Sequence, residues 1–341
     1  MRNGSQDSIS LAPFTTFHIG GNARIFIEAK NEKDIENAIV YAREQNLPLF
    51  PLGTGSNVLV PDAGVDGVVM KICSNNISFE NNGDETILIA EAGTPWKKIV
   101  DEAGERNLFG IENLAGIPGT MGGAAVQNIG AYGSELAEVF KYADVINKIT
   151  GTHERITRDN ASFAYRTSLF KKRREYIVIR VALRLSKRVL PNATYSDLVR
   201  AKDAGTPLTT PKEIANAICT IRAGKFPNIE EEGTAGSFFK NPIILQSSAK
   251  ELSARFQGLP IFPQENGMAK ISLAWILDKV LSLKGFSKGL VRLYEKQPLV
   301  IVARTGATAT EVDKFAYEIE KRVFAATGIS IEREVEIFSM Q

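Results

Sequence analysis

The sequence predicts an α+β protein of two domains, and three observations carry that prediction. From residue 23 to residue 186, segments rich in Val, Ile and Thr recur with only occasional helical spacing, which fits strands with a few helices better than a regular β-α-β series. Residues 187–210 lose this periodicity and are dominated by Pro191, Pro207 and polar side chains, so they read as a linker. Helical spacing returns at Pro211 and mixes with short strands to residue 330, before a last alternating strand.

Composition narrows the function classes. At 341 residues the chain exceeds most single domains, and 44% hydrophobic with 23% charged residues is an ordinary globular balance. A formal net charge of +2 is too small to imply a nucleic acid or an acidic membrane as partner. Only Cys73 and Cys219 occur, which argues against a disulfide framework and a Cys-rich metal site. His18 and His153 stand apart without metal-ligand spacing, so no metal is expected. No apolar run reaches membrane-spanning length, and residues 1–8 lack the apolar core of a signal peptide. A cytoplasmic monomer is the expectation.

Taken in order, residues 23–29 form a β-branched strand, and residues 34–45 carry Ile35, Ala38, Ile39 and Ala42 at helical spacing. A strand at 47–52 runs straight into Gly53-Thr54-Gly55-Ser56-Asn57. Strands at 68–72 and 86–91 precede a helix that Pro95 opens, with Trp96, Ile99, Val100 and Ala103 on one face. Residues 116–133 follow, and then strands at 142–149, 154–157 and 176–185. The run Lys171-Lys172-Arg173-Arg174 reads as a solvated turn. In the second domain a helix at 211–223 bears Ile214, Ala217, Ile218 and Ile221, and one at 272–283 turns Trp275, Ile276 and Val280 inward. After a strand at 299–303, Thr308-Ala309-Thr310-Glu311 is a capping box, and the helix it opens is closed by Gly328.

Residues 116–133 hold six glycines, a density that makes sense only where the backbone takes positive φ or where something approaches the main chain closely. The commonest such partner is a phosphate, which accepts from a concave row of backbone N–H groups. A tight structural loop is the alternative at this point. Gly53-Thr54-Gly55 is a second strand-to-glycine junction, but no long helix follows it, so the dinucleotide fingerprint of a Rossmann unit is not met.

Five motifs then stand in a characteristic order: Gly53-Thr54-Gly55-Ser56-Asn57, the glycine element through Gln127-Asn128-Ile129-Gly130-Ala131-Tyr132-Gly133, Tyr165-Arg166-Thr167-Ser168, Ala235-Gly236-Ser237-Phe238-Phe239-Lys240-Asn241-Pro242, and Ile331-Glu332-Arg333-Glu334-Val335. In this order the chain resembles the UDP-N-acetylenolpyruvoylglucosamine reductase family from residue 16 to residue 335. The resemblance implies a vanillyl-alcohol-oxidase-type FAD-binding domain over 1–186, in two α+β lobes divided near 67. It further implies a linker over 187–210 whose Tyr195 loop is similar to that of the family's first subtype, an α+β substrate-binding domain over 211–330, and a terminal strand over 331–341 returning to the flavin. Where the family usually has proline before the second glutamate of the last motif, this chain has Arg333.

The activity so implied passes a hydride from NADPH through FAD to the enolpyruvyl group of UDP-N-acetylglucosamine enolpyruvate, with a proton arriving at C2. It belongs to peptidoglycan precursor synthesis. The flavin cradle it implies is Gly53, Thr54, Gly55, Ser56, Asn57, Gly119, Thr120, Gly122, Gly123, Asn128, Gly130, Ala131 and Tyr132. Arg166, read alone, is a surface arginine, but the resemblance makes it the fork that holds the anionic carboxylate. Ser237 read alone is a turn serine and becomes the proton donor to C2. Glu334 read alone lies on a solvated strand face with Glu332 and Glu336, and becomes the third catalytic group. Tyr165, Tyr195, Lys225, Asn241 and Lys296 are the implied contacts to the sugar nucleotide. A flavin oxidase of the same fold is the nearest competing reading, but such enzymes commonly hold flavin through His or Cys and neither glycine element contains one, so the flavin is expected to be non-covalent. A nucleotide-sugar-binding protein without turnover is a third reading.

Overall fold

The structure, a computed structural model, describes residues 5–188 and 192–338. Its contacts divide the chain into two units: residues up to 9, 23–54 and 66–223 form the first, and residues 10–22, 55–65 and those from 224 onward form the second.

In the first unit, helix α1 (Glu32–Glu44) starts where the Asn31 side chain accepts the Asp34 amide. Its stripe of Ile35, Ala38, Ile39 and Ala42 shares one core with Ala29, Leu49, Val68 and Met70. Those last four belong to a four-stranded sheet ordered Ser5–Ser10, Asn22–Ala29, Val65–Ile72, Leu49–Leu52, in which Leu49 pairs with Val68 in parallel. The next strand, Ile77–Asn82, opens an antiparallel five-stranded sheet with Glu85–Glu91, Tyr176–Ser186, Phe140–Asn147 and His153–Thr157. Helices α2 (Trp96–Glu105) and α3 (Met121–Gln127) pack in the core of this second sheet through Trp96, Ile99, Met121, Ala124 and Ala125. The first sheet's strand Val65–Ile72 ends just before the second sheet's first strand begins at Ile77.

Two expected boundaries differ from the structure. The linker at 187–210 contains a helix: past the one-turn α4 (Leu169–Lys172), α5 (Ser196–Asp203) buries Leu198 in the same core. Pro191 lies outside the described residues. Helix α6 (Pro211–Lys225), assigned from sequence to the second domain, sets Ile214, Ala217 and Ile218 into the core of the first. An apolar stripe shows that a helix is buried but not against which core.

The second unit holds α7 (Gln246–Arg255), the short sheet Ile243–Leu245, Met268–Ile271, Ile261–Pro263, and a second sheet Ser287–Lys288, Val291–Leu293, Ile301–Ala303. The helix expected at 272–283 is broken into α8 (Leu273–Trp275) and a π-turn, Ile276–Val280. Leu273, Ile276 and Leu277 are buried, and Trp275 and Val280 are half-buried and pack against the same core. Helix α9 (Ala309–Thr327) has the capping box at Thr308 and Glu311, buries Val312, Phe315, Ala316, Ile319 and Val323, and ends at Gly328 with φ 75°. Of the strand expected over 331–341, the described residues pair regularly at Glu336–Ile337, in parallel with Val58–Leu59, and before it Arg333 bridges Phe239, while 339–341 lie outside the described residues.

Asp62 adds a second cap to α9, accepting the amides of Ala309 at 2.7 Å and Thr310 at 2.9 Å and the Thr310 hydroxyl at 2.6 Å. Partial burial opposes its charge, but these hydrogen bonds outweigh it and hold the carboxyl below the usual aspartate value. Asp62→Ala is therefore expected to cost about 1 kcal/mol of stability. Because the folded pKa is depressed, this contribution is full above the unfolded value near about 4 and is lost as pH falls through the folded one. The melting-temperature gap between wild type and Asp62→Ala should accordingly close below that value, and a gap that persists there would contradict the assignment.

Candidate active site

In the first unit, Gly53 stands against the glycine element at 116–133. A Cβ on Gly53 would stand 2.9 Å from Thr120 Oγ1, so the strand-to-turn junction at 53 lies directly against the start of α3. Gly119 adopts φ 142°, a conformation other residues rarely take, and its carbonyl accepts the Trp96 amide at 3.0 Å. Thr120 caps α3, and Met121 and Gly122 donate to Thr94 and Ala92. Those two amides are thus committed to the protein, which narrows the phosphate-binding surface expected from the glycine count.

The two consecutive glycines differ in kind. A Cβ on Gly122 would come within 2.9 Å of the Ala92 Cβ, so packing alone explains this glycine. Gly123 is exposed in the first turn of α3, and its Cβ would meet nothing nearer than Thr120 Oγ1 at 3.7 Å. Nothing in the protein's own packing requires glycine there, although glycine weakens a helix by roughly 0.5–1 kcal/mol against alanine. The residues therefore fit a ligand that approaches the main chain at this surface. Gly123→Ala is expected to raise the melting temperature of flavin-free protein while reducing the flavin that survives gel filtration. Unchanged retention would leave Gly123 without a ligand role.

Beyond α3 three residues, Asn128, Tyr132 and Gly133, depart from ordinary geometry. Asn128 ends the helix at φ 46°, fully buried, and its side chain donates to Glu135 at 2.9 Å and Ala164 O at 3.0 Å while accepting the Ala137 amide. Gly130–Ala131 pairs with Ser134–Glu135, and Tyr132 (φ 49°) with Gly133 (φ 82°) forms the tight turn between them, a geometry that favours Asn-Gly. Burial pushes the Tyr132 phenol up to about 12, so it stays a neutral hydrogen-bonding group. Its ring meets that of Tyr195 edge to face at 5.1 Å, and Tyr195 itself is 45% exposed.

Arg166 sits at φ 54° in the turn Tyr165-Arg166, where Ala164 and Thr167 exchange both backbone hydrogen bonds. A long side chain in this left-handed conformation is strained. Its Nη2 donates to Gly130 O at 2.6 Å, which fixes the guanidinium beside the glycine element, and the Tyr165 ring lies 5.1 Å from it. Arg166, Asn128, Gly130, Ala131, Tyr132 and Tyr165, scattered in sequence, thus form one cluster.

In the second unit, Gly55 (φ 65°) is closely enclosed: a Cβ would lie 2.3 Å from Phe14 O. Asn57 donates from Nδ2 to Glu334 O at 3.2 Å and accepts the Glu336 amide at 3.1 Å, so the last motif is tied to the end of the 53–57 turn, beside Ser56. The Glu334 amide donates to Phe238 O at 2.8 Å, which brings it to the Ser237-Phe238-Phe239 turn. Ser237 is half-buried between Gly236 (φ 74°) and the fully enclosed Phe238, and bridges Val300. Lys225 closes α6 and is half-buried. Asn241 commits its Oδ1 to the Leu273 amide at 3.0 Å, so it is partly structural. Lys296 is exposed in the turn before Ile301–Ala303, and Thr54 is exposed at the chain's passage between the units.

Sequence reasoning missed several groups. Asn113, buried, donates from Nδ2 to Tyr132 O at 2.9 Å and Asn192 O at 2.8 Å, tying the tyrosine-bearing segment to the glycine element. Arg222 donates to Gly116 O at 3.0 Å, and burial holds its pKa below the usual arginine value. Its signal was present, since it follows Ile218 by four residues on the buried face of α6. Lys171, read as part of a solvated turn, donates to Gln127 at 2.6 Å. His153 faces Glu32 at 3.3 Å and Glu36 at 3.2 Å, a group of the kind that can hold a cation, although spacing alone gave no hint of it. Its two ring nitrogens already meet the two carboxylates, and Arg180 pairs with Glu32.

The class is an FAD-binding oxidoreductase: residues 23–157 match the family model described as an FAD binding domain. Residues 228–338 match that of the UDP-N-acetylenolpyruvoylglucosamine reductase C-terminal domain. The chain belongs to the UDP-N-acetylenolpyruvoylglucosamine reductase family. It is 37% identical over 336 residues to the reductase of that name from Pseudomonas aeruginosa, covering 98% of each chain. It is 36% identical to the one from Escherichia coli K12, covering 96% of this chain and 94% of the relative. The fold is similar to the crystal structure of the Thermus caldophilus reductase, with TM-score 0.69 and 23% identity over 97% of this chain and 98% of that one. Among the described residues no helix is long and apolar enough to cross a membrane.

Proposed function

We propose that this chain reduces UDP-N-acetylglucosamine enolpyruvate to UDP-N-acetylmuramate with NADPH as reductant, in peptidoglycan precursor synthesis, as a cytoplasmic monomer. The observation that carries the reading is Arg166, a strained arginine anchored to Gly130 beside the glycine element. Strain of this kind persists where the surrounding structure enforces it, and it clusters at working sites. The name and nearly full-length cover of the relatives support the choice of substrate.

FAD, held non-covalently, supplies hydride transfer when bound. The chain's own residues do the rest. Gly53 to Asn57, Gly119 and Gly123 bring backbone groups to the pyrophosphate, and Asn128, Gly130, Ala131 and Tyr132 contribute to the flavin site. Arg166 holds the substrate carboxylate with its fork and steadies negative charge as it develops there. Ser237 delivers the proton to C2, and Glu334 assists at the carboxylate or enol. Tyr165, Tyr195, Lys225 and Lys296 contact the sugar nucleotide, as does Asn241 through its Nδ2, since its Oδ1 is engaged.

The test is the absorption spectrum of purified flavin-loaded protein. NADPH should bleach the flavin bands, the enolpyruvyl sugar nucleotide should restore them, and acid should release the flavin from the precipitate. Bleaching that the substrate never reverses would leave a nucleotide-sugar-binding protein without turnover.

A further inference from the structure

The segment that carries Glu334 is held by separate contacts and not by a continuous ladder: Asn57 Nδ2 donates to Glu334 O at 3.2 Å, and Val335 is buried in the core of the second unit. Regular pairing begins only at Glu336, and ahead of it Arg333 makes a single bridge to Phe239 through the bonds of its neighbours: Lys240 N to Glu332 O at 2.9 Å and Glu334 N to Phe238 O at 2.8 Å. Two residues, Glu334 and Val335, cross from that bridge to the strand. Against this backbone the Arg333 side chain is tightly engaged. Its Nε donates to Glu320 at 2.6 Å and its Nη1 to Asp313 at 2.5 Å, both on α9. The acids are seven residues apart, two helical turns on one face, so a single guanidinium spans them. The guanidinium also lies 5.8 Å from the centre of the Phe238 ring, within cation–π range. Phe238 is the residue after Ser237, and its amide is fixed to Leu299 O at 2.7 Å.

We propose that Arg333 is a positioning residue: it clamps the Glu334 segment and the Ser237-Phe238 turn onto α9, so that the proton donor and the carboxylate keep one separation. The inference rests on the roles given to Ser237 and Glu334 under the proposed function, but the clamp itself is a property of the second unit. The pairing is more than a surface ion pair. The Arg333 and Glu320 side chains are 22% and 23% exposed and Asp313 is 48% exposed, and one guanidinium joins two carboxylates, so the three charges form a small network and not an isolated pair. Desolvation of Arg333 is outweighed by these two hydrogen bonds. Lysine in its place keeps one charge and loses the fork. Proline removes the clamp but restricts the backbone by itself, and the bridge to Phe239 does not use the residue 333 amide.

The experiment compares flavin-loaded wild type, Arg333→Met, Arg333→Lys, Arg333→Pro and the double variant Asp313→Asn with Glu320→Gln. Amide exchange over residues 332–336 is read alongside the two half-reactions. In Arg333→Met and in the double variant, exchange at the Glu334 amide should speed by about tenfold or more. The substrate-dependent rate should fall by roughly ten- to a hundredfold, the scale of a misplaced catalytic group. KM and flavin reduction by NADPH should hold steady. Arg333→Pro should recover most of that rate without recovering the ion pairs, and Arg333→Lys should fall between. Exchange as slow in Arg333→Met and the double variant as in wild type overturns the clamp. So does slowed turnover with KM raised in proportion. If Arg333→Met does not fold, the double variant, which keeps Arg333, decides by the same readings. Wild type that never turns over the enolpyruvyl substrate refutes the functional reading instead, and exchange still decides the clamp.

Discussion

Ser237→Ala should separate the two halves of the reaction: NADPH reduces the flavin at close to the normal rate, while reoxidation by the enolpyruvyl substrate slows by roughly a hundredfold to ten-thousandfold. The geometry makes this a clean substitution. Ser237 is placed by its main chain, through the bridge to Val300, the Phe238 amide on Leu299 O and the turn at Gly236, so the fold does not depend on its hydroxyl. Melting temperature should stay near that of wild type. KM should change little, because a proton delivered in the transition state adds nothing to ground-state binding. Ser237→Cys, which restores a proton of different acidity, should recover part of the rate. Normal reoxidation in Ser237→Ala would move the proton donor elsewhere, with Glu334 the next residue to replace.

How much of this was legible in the sequence depends on how local each feature is. The helix over 309–327 was fully written in its own residues: the box at Thr308 and Glu311, the stripe from Val312 to Val323, and Gly328 at the end all hold in the structure. The strand at Tyr176–Ser186 and the helix at Trp96–Glu105 were equally plain. Features that depend on a distant partner were not. Ile77–Asn82 ends in Glu-Asn-Asn and carries no strand signal of its own, but it pairs antiparallel with Glu85–Glu91. The π-turn at Ile276–Val280 leaves no mark in the spacing of Trp275, Ile276 and Val280. Helix α6 announced its buried face but not its host, which is why the second domain was begun too early.

The site divides the same way. Glycine density correctly marked where the backbone departs from ordinary conformations, yet could not sort the glycines by cause. Gly122 is a packing glycine against Ala92, Gly55 makes room for Phe14 O, and Gly123 is left open. No sequence pattern distinguishes these, because each depends on what stands opposite. Motif likeness named Arg166, Ser237 and Glu334. It was silent on what holds them: Gly130 O for Arg166, Phe238 O for the Glu334 amide, Asn113 and Arg222 beneath the glycine element, and the pair of acids on α9 that Arg333 spans. These supports are single polar groups, some of them backbone carbonyls, whose partners lie from 13 to 106 positions away.

Arg166 allows the sharpest contrast between stability and function. At φ 54° a non-glycine residue costs on the order of 1 kcal/mol, which glycine would not. Against that, Arg166→Gly removes the charged hydrogen bond to Gly130 O, worth about 1.5–3 kcal/mol where it is well shielded and less at this half-buried position. The two nearly offset, so Arg166→Gly should melt within a few degrees of wild type. Turnover of the enolpyruvyl substrate should nevertheless fall by roughly a hundredfold to a thousandfold, the scale of losing one preorganised group at a developing anion. Arg166→Lys separates charge from geometry. It keeps the cation and loses the fork, so the substrate-dependent rate should recover only in part while flavin reduction by NADPH stays close to wild type. Near-normal turnover in the stable Arg166→Gly protein would mean that the strained turn serves only the hairpin at Gly130. A large loss of melting temperature together with loss of flavin would make Arg166 a structural tie. Inactivity in a protein that folds, holds flavin and accepts electrons from NADPH is the outcome that the strained, anchored guanidinium predicts.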